Sequence, residues 1–257
     1  MTAMKLSKKK ILFIICLFVF FVMVIGVMEK NELISVFNGK IKNYPIVEQK
    51  NSEKKKIAIT FDDGPKRGTT DMLLDGLKER NAKATFFLIG QQIEENKDLV
   101  QRMYDEGHQI GNHTFNHKNL NELNADEQKK ELLLCSEAIS GKIPANHVFV
   151  RPPYGEMNSS IKSWINEPLI LWSVDTMDWT GKSADEIADY IVSEAEEGDI
   201  ILLHDIYENS VLGALKAIDL MQSRGYQFVT VEKLFKDYRI QLENGKVYRK
   251  IYNIKKL

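Results

Sequence analysis

From Ile57 onward, short apolar runs alternate with longer stretches of helical period. The runs are IAITF (57–61), ATFFLI (84–89), HQIG (108–111), HVFV (147–150), LILWSV (169–174), DIILL (199–203) and QFVTV (227–231). The stretches between them carry helix punctuation. Thr69 and Thr70 can cap TDMLLDGLKER, and DLVQRMYDEG stops at Gly107. ADEQKKELLLCSEAISG stops at Gly141 and ENSVLGALKAIDLMQSRG at Gly225. SADEIADYIVSEAEEG opens on Ser183 with Glu186 three residues on, a capping box, and stops at Gly198. Strand–helix alternation on this scale predicts an α/β protein with a parallel sheet covered by helices. Seven strands suit a barrel or near-barrel, with a doubly wound open sheet as the alternative.

The N-terminus has a different pattern. Residues 1–10 carry four lysines and no acid, and residues 11–28, ILFIICLFVFFVMVIGVM, carry no charge. A helix of that length spans about 27 Å, close to the roughly 30 Å of a hydrocarbon core. The run is longer than a signal-peptide core, and no small-x-small cleavage site follows it. A retained transmembrane signal anchor is expected, with the lysines inside and everything after residue 28 outside. Residues 29–53 read as a polar extracellular linker, 54–238 as the folded domain and 239–257 as a short basic tail. Cys16 falls in the span and Cys135 in an outer helix, so the two cannot pair; Cys135 reads as a small buried apolar residue.

Composition narrows the function classes. The 257 residues carry 35 Lys plus Arg against 36 Asp plus Glu, a net charge of −1. That balance argues against a nucleic-acid partner. Two cysteines exclude a disulfide scaffold and a multi-cysteine zinc site.

The unusual polar clusters directly follow the strand candidates: TFDDGP, NHTFNH, RPPYG, DTMDW and HD. In a parallel barrel the carboxyl ends of all strands share one face, where active sites sit, so the five clusters converge. Asp62 and Asp63 point in different directions, leaving one free to bind a metal and the other to act as base. His113 and His117 have the i, i+4 spacing that places two imidazoles on one helical face. With one acid they make a three-ligand catalytic zinc set. Arg151 can fork onto a carboxylate and hold it ionised. The first free backbone N–H after Pro152-Pro153 is that of Tyr154, a candidate oxyanion donor. Asp175 or Asp178 can orient His204 and raise its pKa, making it a competent acid. Tyr154 and Trp179 offer flat surfaces for sugar rings, and Leu202 can line a small apolar pocket. His108 and His147 precede their strands and read as structural.

TFDDGP, HTFNH, RPPYG, DTMDW and LLHD, in this order, resemble the five motifs of the polysaccharide deacetylases, the NodB-homology carbohydrate esterases. The likeness covers roughly residues 54–236 and resembles most the membrane-anchored peptidoglycan N-acetylglucosamine deacetylases. It implies a deformed (β/α)7-type barrel, preceded here by the transmembrane helix, and metal-dependent removal of acetyl groups from N-acetylated sugars. It places Asp63, His113 and His117 on the metal, Asp62 as base, His204 as acid and Arg151 as the residue that positions the base. Asp175 matches the acid paired with His204, and Trp179 and Leu202 match pocket-lining positions. The expected ion is Zn2+, with Co2+ or Ni2+ also compatible. The expected substrate is peptidoglycan, met by a monomeric domain on the wall side of the cell membrane. Chitin oligomers, an exopolysaccharide and acetylated xylan are alternative substrates. A non-catalytic glycan-binding module and a metallopeptidase are readings from other classes.

Overall fold

The computed structural model describes residues 54–144 and 148–252. The expected anchor, the linker, Cys16 and His147 lie outside the described residues. Among the described residues no helix is long and apolar enough to cross a membrane.

The protein is α/β with a mostly parallel sheet. Strand β1 (Lys55–Asp62) lies at its centre, flanked by β2 (Ala84–Leu88) and β6 (Ile200–His204). β3 (Gln109–Asn112) extends the sheet beyond β2, and β5 (Val174–Asp175) beyond β6. β7 (Tyr226–Phe228) joins the lower end of β1 in parallel. β4 (Leu169–Ile170) pairs with β8 (Val247–Tyr248) in a second, two-stranded sheet. Val150 bridges Asn112 of β3 on one side and Leu169 of β4 on the other. Among the described residues eight α-helices run in chain order: α1 (Thr69–Glu79), α2 (Gly90–Glu95), α3 (Lys97–Asp105), α4 (Ala125–Ser140), α5 (Ser159–Trp164), α6 (Ala184–Glu194), α7 (Glu208–Ser223) and α8 (Val231–Asp237).

Period-2 alternation divides each central strand between two cores. Ile57, Ile59 and Phe61 of β1 face outward into the larger apolar cluster, with Ile201 and Leu203 of β6 and Phe86 and Leu88 of β2. Ala58, Ile200 and Phe87 face inward, where Val231, Leu234 and Phe235 of α8 close the lower end. Thr60 pairs in register with Leu202, and Asp62 with His204. The same inward row that begins with Ala58 and Ile200 therefore ends, at the carboxyl edge, in a carboxylate beside an imidazole.

Several sequence expectations change in the structure. Of HVFV, the described residues 148–150 supply the Val150 bridge and no strand. LILWSV divides into β4 and β5, and QFVTV gives β7 before Val231 opens α8. The tail, featureless as sequence, supplies β8 and the buried Ile251. The Ser183 capping box on α6 forms as expected. The N-cap of α1 is Gly68, at φ 94°, with its N–H donating to Asp71. Thr70 is recruited elsewhere: its hydroxyl accepts from the Lys66 backbone N–H and donates to the buried carboxylate of Asp205.

Candidate active site

The polar clusters meet at one edge. Asp62 and Asp63 end β1, His113 follows β3, Arg151 follows the Val150 bridge and His204 ends β6. The loops that carry them are conformationally strained. Of the seven non-glycine residues at positive φ among the described residues, five belong to this rim: Asp63, Thr114, His117, Tyr154 and Met177. Such conformations cost about 1–3 kcal/mol each and persist where the surroundings over-determine them.

His113 and His117 do not lie on a helix. The expected helical face is replaced by a loop whose left-handed Thr114 and His117 fold the two rings to 4.9 Å between centroids. Two side chains that the sequence reading passed over shape this loop. Asn112 Oδ1 accepts the Thr114 N–H (2.8 Å). Glu131, buried on α4, accepts the N–H groups of Phe115 (3.0 Å) and Asn116 (2.8 Å) and the Asn116 amide (2.9 Å). The available signal was an acid on the buried stripe of α4 that also holds Gln128, Leu132, Cys135 and Ile139.

Asp63 Oδ1 sits 3.4 Å from His113 Nε2 and 3.2 Å from His117 Nε2, buried and with no good hydrogen bond of its own. One ligand atom from each of the three residues lies within 4.8 Å of the others. His113 Nδ1 is 2.6 Å from the Arg151 carbonyl oxygen, which can only accept. Nδ1 therefore carries a proton and Nε2 faces Asp63; burial disfavours a charged ring, but the neighbouring Asp62 and Asp63 outweigh it and push the His113 pKa up. Burial, followed by the neighbouring His113, pushes the His117 pKa down and keeps its lone pair available. Burial alone would raise the Asp63 pKa, but His113, His117 and His204 hold it below the ordinary carboxylate value. Two imidazole nitrogens converging on an unpartnered carboxylate oxygen form a donor set that fits a divalent cation such as zinc.

Asp62 stands beside this set. Its Oδ1 accepts from Arg151 Nη1 at 2.7 Å, and its Oδ2 lies 3.6 Å from His113 Nε2. Arg151 is wholly buried over the Phe87 ring, 4.0 Å from its centroid. Its other N–H groups go to Thr60 Oγ1 and to the carbonyls of Ile170 and Leu171. Removing either partner of such a buried pair costs about 3–5 kcal/mol.

His204 pairs with Asp178, not Asp175. Asp178 Oδ1 lies 2.8 Å from His204 Nδ1, and Oδ2 accepts the His204 backbone N–H at 2.8 Å. Asp175 instead accepts the Trp172 indole N–H (3.2 Å) and the Met177 N–H (3.0 Å). The correction has a register cause. Asp175 pairs with Leu202, below His204, and only the turn through left-handed Met177 brings an acid level with the ring. Burial disfavours His204 protonation. The Asp178 hydrogen bond and the charges of Asp178, Asp62 and Asp63 outweigh that and push its pKa up to about 9.

Leu202 is buried beneath the rim, while Tyr154 and Trp179 are exposed. The Tyr154 ring meets His117 edge-on, 4.9 Å between centroids. His108 is structural, as expected: its Nδ1 accepts the Ala84 N–H, and burial pushes its pKa down to about 4. Behind the acid pair, Gly64 packs against Asp205 so closely that a Cβ would overlap the carboxylate. Burial pushes the Asp205 pKa up to about 7. Shallow clefts of about 470 and 260 Å³ adjoin His117 and Asp63. A separate cavity of about 840 Å³ between α4, α8 and the C-terminal segment contains none of the site residues.

A parallel α/β sheet with a carboxylate–imidazole set able to hold a metal ion at its carboxyl edge, an Arg-held acid on one side and an acid-held histidine on the other, defines a hydrolase-type centre. Residues 49–167 match the family model described as polysaccharide deacetylase. The chain is 38% identical over 189 residues to a peptidoglycan-N-acetylglucosamine deacetylase of Bacillus cereus, covering 71% of this chain and 69% of that one. It is 37% identical over 194 residues to the peptidoglycan-N-acetylglucosamine deacetylase PgdA of Listeria monocytogenes, covering 76% of this chain. The match spans 41% of that longer relative. A family 4 acetyl xylan esterase from Clostridium thermocellum, solved with a cobalt ion, superposes with a TM-score of 0.73 at 28% identity, covering 77% of this chain and 99% of that one. The chain belongs to the polysaccharide deacetylase family.

Proposed function

We propose that this protein hydrolyses the N-acetyl group of N-acetylglucosamine residues in peptidoglycan, releasing acetate. The observation that carries the reading is the Asp63 oxygen held beside two imidazole Nε2 atoms, with Asp62 and His204 flanking it. Asp63, His113 and His117 would hold a divalent cation, Zn2+ by preference, which when bound supplies Lewis acidity to the attacking water and the acetyl carbonyl.

The chain's own groups handle the protons. Asp62, oriented by the Arg151 hydrogen bond, accepts a proton from the attacking water. The Tyr154 backbone N–H stabilises negative charge developing on the carbonyl oxygen. His204 donates from Nε2 to the departing nitrogen, because its Nδ1 is engaged by Asp178. Acetate leaves, and the sugar retains an amine. Leu202 lines the acetyl pocket, and Trp179 and Tyr154 receive the sugar rings. The sheet, continued through Val150 to β4, is on this reading a deformed (β/α)7 barrel.

The same proposal covers the whole chain: residues 11–28 as a membrane anchor, 29–53 as a linker and 54–238 as a monomeric catalytic domain on the wall side. The uncharged run behind four lysines supports it. Acetylated xylan is the second reading, favoured by the cobalt-bound esterase that shares the fold. Acetate release by the full chain from purified peptidoglycan and from acetylated xylan, with and without a chelator, tests both. The expected result is release from peptidoglycan, lost with chelator and restored by added Zn2+ or Co2+. Release from xylan alone would favour the second reading, and release that survives chelation would overturn the metal assignment.

A further inference from the structure

Beyond His204 the rim opens into a cleft of about 580 Å³, whose lining includes Lys66, Trp179, Lys182, Tyr207 and Glu208. Its chemistry differs from that of the metal centre. Trp179 and Tyr207 are both large exposed aromatics, 56% and 41% accessible, with Tyr207 edge-on to His204 at 6.2 Å. Lys66 and Lys182 are each tethered by one backbone carbonyl: Lys66 Nζ donates to Ile206 O (2.9 Å) and Lys182 Nζ to Thr176 O (2.7 Å). Lys182 also lies over the Tyr190 ring, 4.9 Å from its centroid. An ammonium has three N–H groups, so each lysine retains two for a ligand.

Two cations and two acids line this cleft, Lys66 and Lys182 with Asp178 and Glu208, but the acids are not paired with the lysines. Neither lysine forms a salt bridge with a carboxylate among the described residues, although Lys182 is near enough to Glu186 to help lower its pKa. Asp178, at the cleft wall, has both oxygens engaged by His204. The remaining acid, Glu208, sits in the first turn of α7, where the helix N-terminus already favours its charge. Two tethered cations beside two flat apolar rings are complementary to a pyranose that carries a carboxylate.

We propose that this cleft is a subsite for a carboxylate-bearing sugar next to the one that loses its acetyl group, with Lys66 and Lys182 selecting the charge and Trp179 and Tyr207 the ring. The inference rests on the peptidoglycan reading and deepens it. In that polymer the sugar alternating with N-acetylglucosamine carries a lactyl ether, which ends in a carboxylate or in a stem peptide with carboxylates of its own.

The test compares kcat/KM for acetate release by the full chain on three glycans at low salt: neutral chitopentaose, peptidoglycan strands stripped of stem peptide, and strands that keep it. The proteins are the wild type, the double variant K66Q/K182Q and the charge-preserving K66R/K182R. The anionic-to-neutral ratio is expected to fall about tenfold in the glutamine variant, through KM, and to recover in the arginine variant. A fall on stripped strands assigns the lactyl carboxylate, and a fall on intact strands the peptide. A ratio unchanged within twofold, or an arginine variant as impaired as the glutamine one, overturns the subsite and leaves the deacetylase reading standing. A wild type that releases acetate from none of the three glycans overturns that reading and the subsite with it.

Discussion

Asp178 and His204 show how much a single pairing decides. The imidazole is held at Nδ1, so only Nε2 faces the reaction, and the surrounding acids push its pKa up to about 9. With its folded value above the unfolded 6.5, the proton contributes stability below about pH 6.5, and that contribution is lost as pH rises through 9. The protonated form therefore persists across neutral pH, and a cation held at Asp63 would offset part of the pull. In D178N the strongest favourable contact is removed, leaving only the charges of Asp62 and Asp63 against the effect of burial. The alkaline limb of the kcat profile is expected to move at least one pH unit toward acid, read by acetate release from pH 5 to 10. An unmoved limb would remove His204 as the acid. The residues themselves were legible in sequence because a polar side chain directly after an apolar strand is rarely idle, as with Asp62, His113, Arg151 and His204. The choice between Asp175 and Asp178 was not legible, because it depends on one left-handed residue, Met177, whose conformation no local pattern announces.

At the scale of elements, the loop from His113 to His117 is shaped from outside. Spacing suggested a helix, yet the loop reverses through Thr114 and is clasped by Glu131, fourteen residues downstream of His117 on α4. A contact of that kind is set by helix-to-loop packing and has no signature in local sequence. Glu131→Gln keeps the size of the side chain but loses the charge that receives two backbone N–H groups. Metal affinity is expected to weaken about 10- to 100-fold, as for other residues that orient ligands, measured by calorimetric Zn2+ titration, with the far-UV circular dichroism unchanged. An affinity equal to wild type would show that the clasp is dispensable. The strands, by contrast, were readable wherever they were long: β1, β2 and β6 fall where apolar runs of five or six predicted them. β4, β5 and β8 have two residues each and are specified by their partners rather than by their own composition.

For the whole molecule, the C-terminal segment belongs to the structure rather than to a tail. β8 is the hydrogen-bonded partner of β4, and Ile240, Leu242, Tyr248 and Ile251 join the lower core around Phe235. A chain ended after Tyr238 exposes that cluster and leaves β4 unpaired on one side. The expected effect is a loss of about 2–5 kcal/mol, comparable to removing a buried large side chain, read as a lowered midpoint in urea unfolding. A midpoint equal to that of the full chain would make the segment an ornament.

The central position of β1 has a consequence in time. Its hydroxyl at Thr60 bonds to Ile201, 141 positions later, and its lower half waits for β7. At about 5–20 residues per second, a ribosome leaves that first strand without β6 for on the order of ten seconds. The nascent chain thus carries both halves of its reactive apparatus separately, and it is born inert, acquiring competence only when nearly all of it has been made.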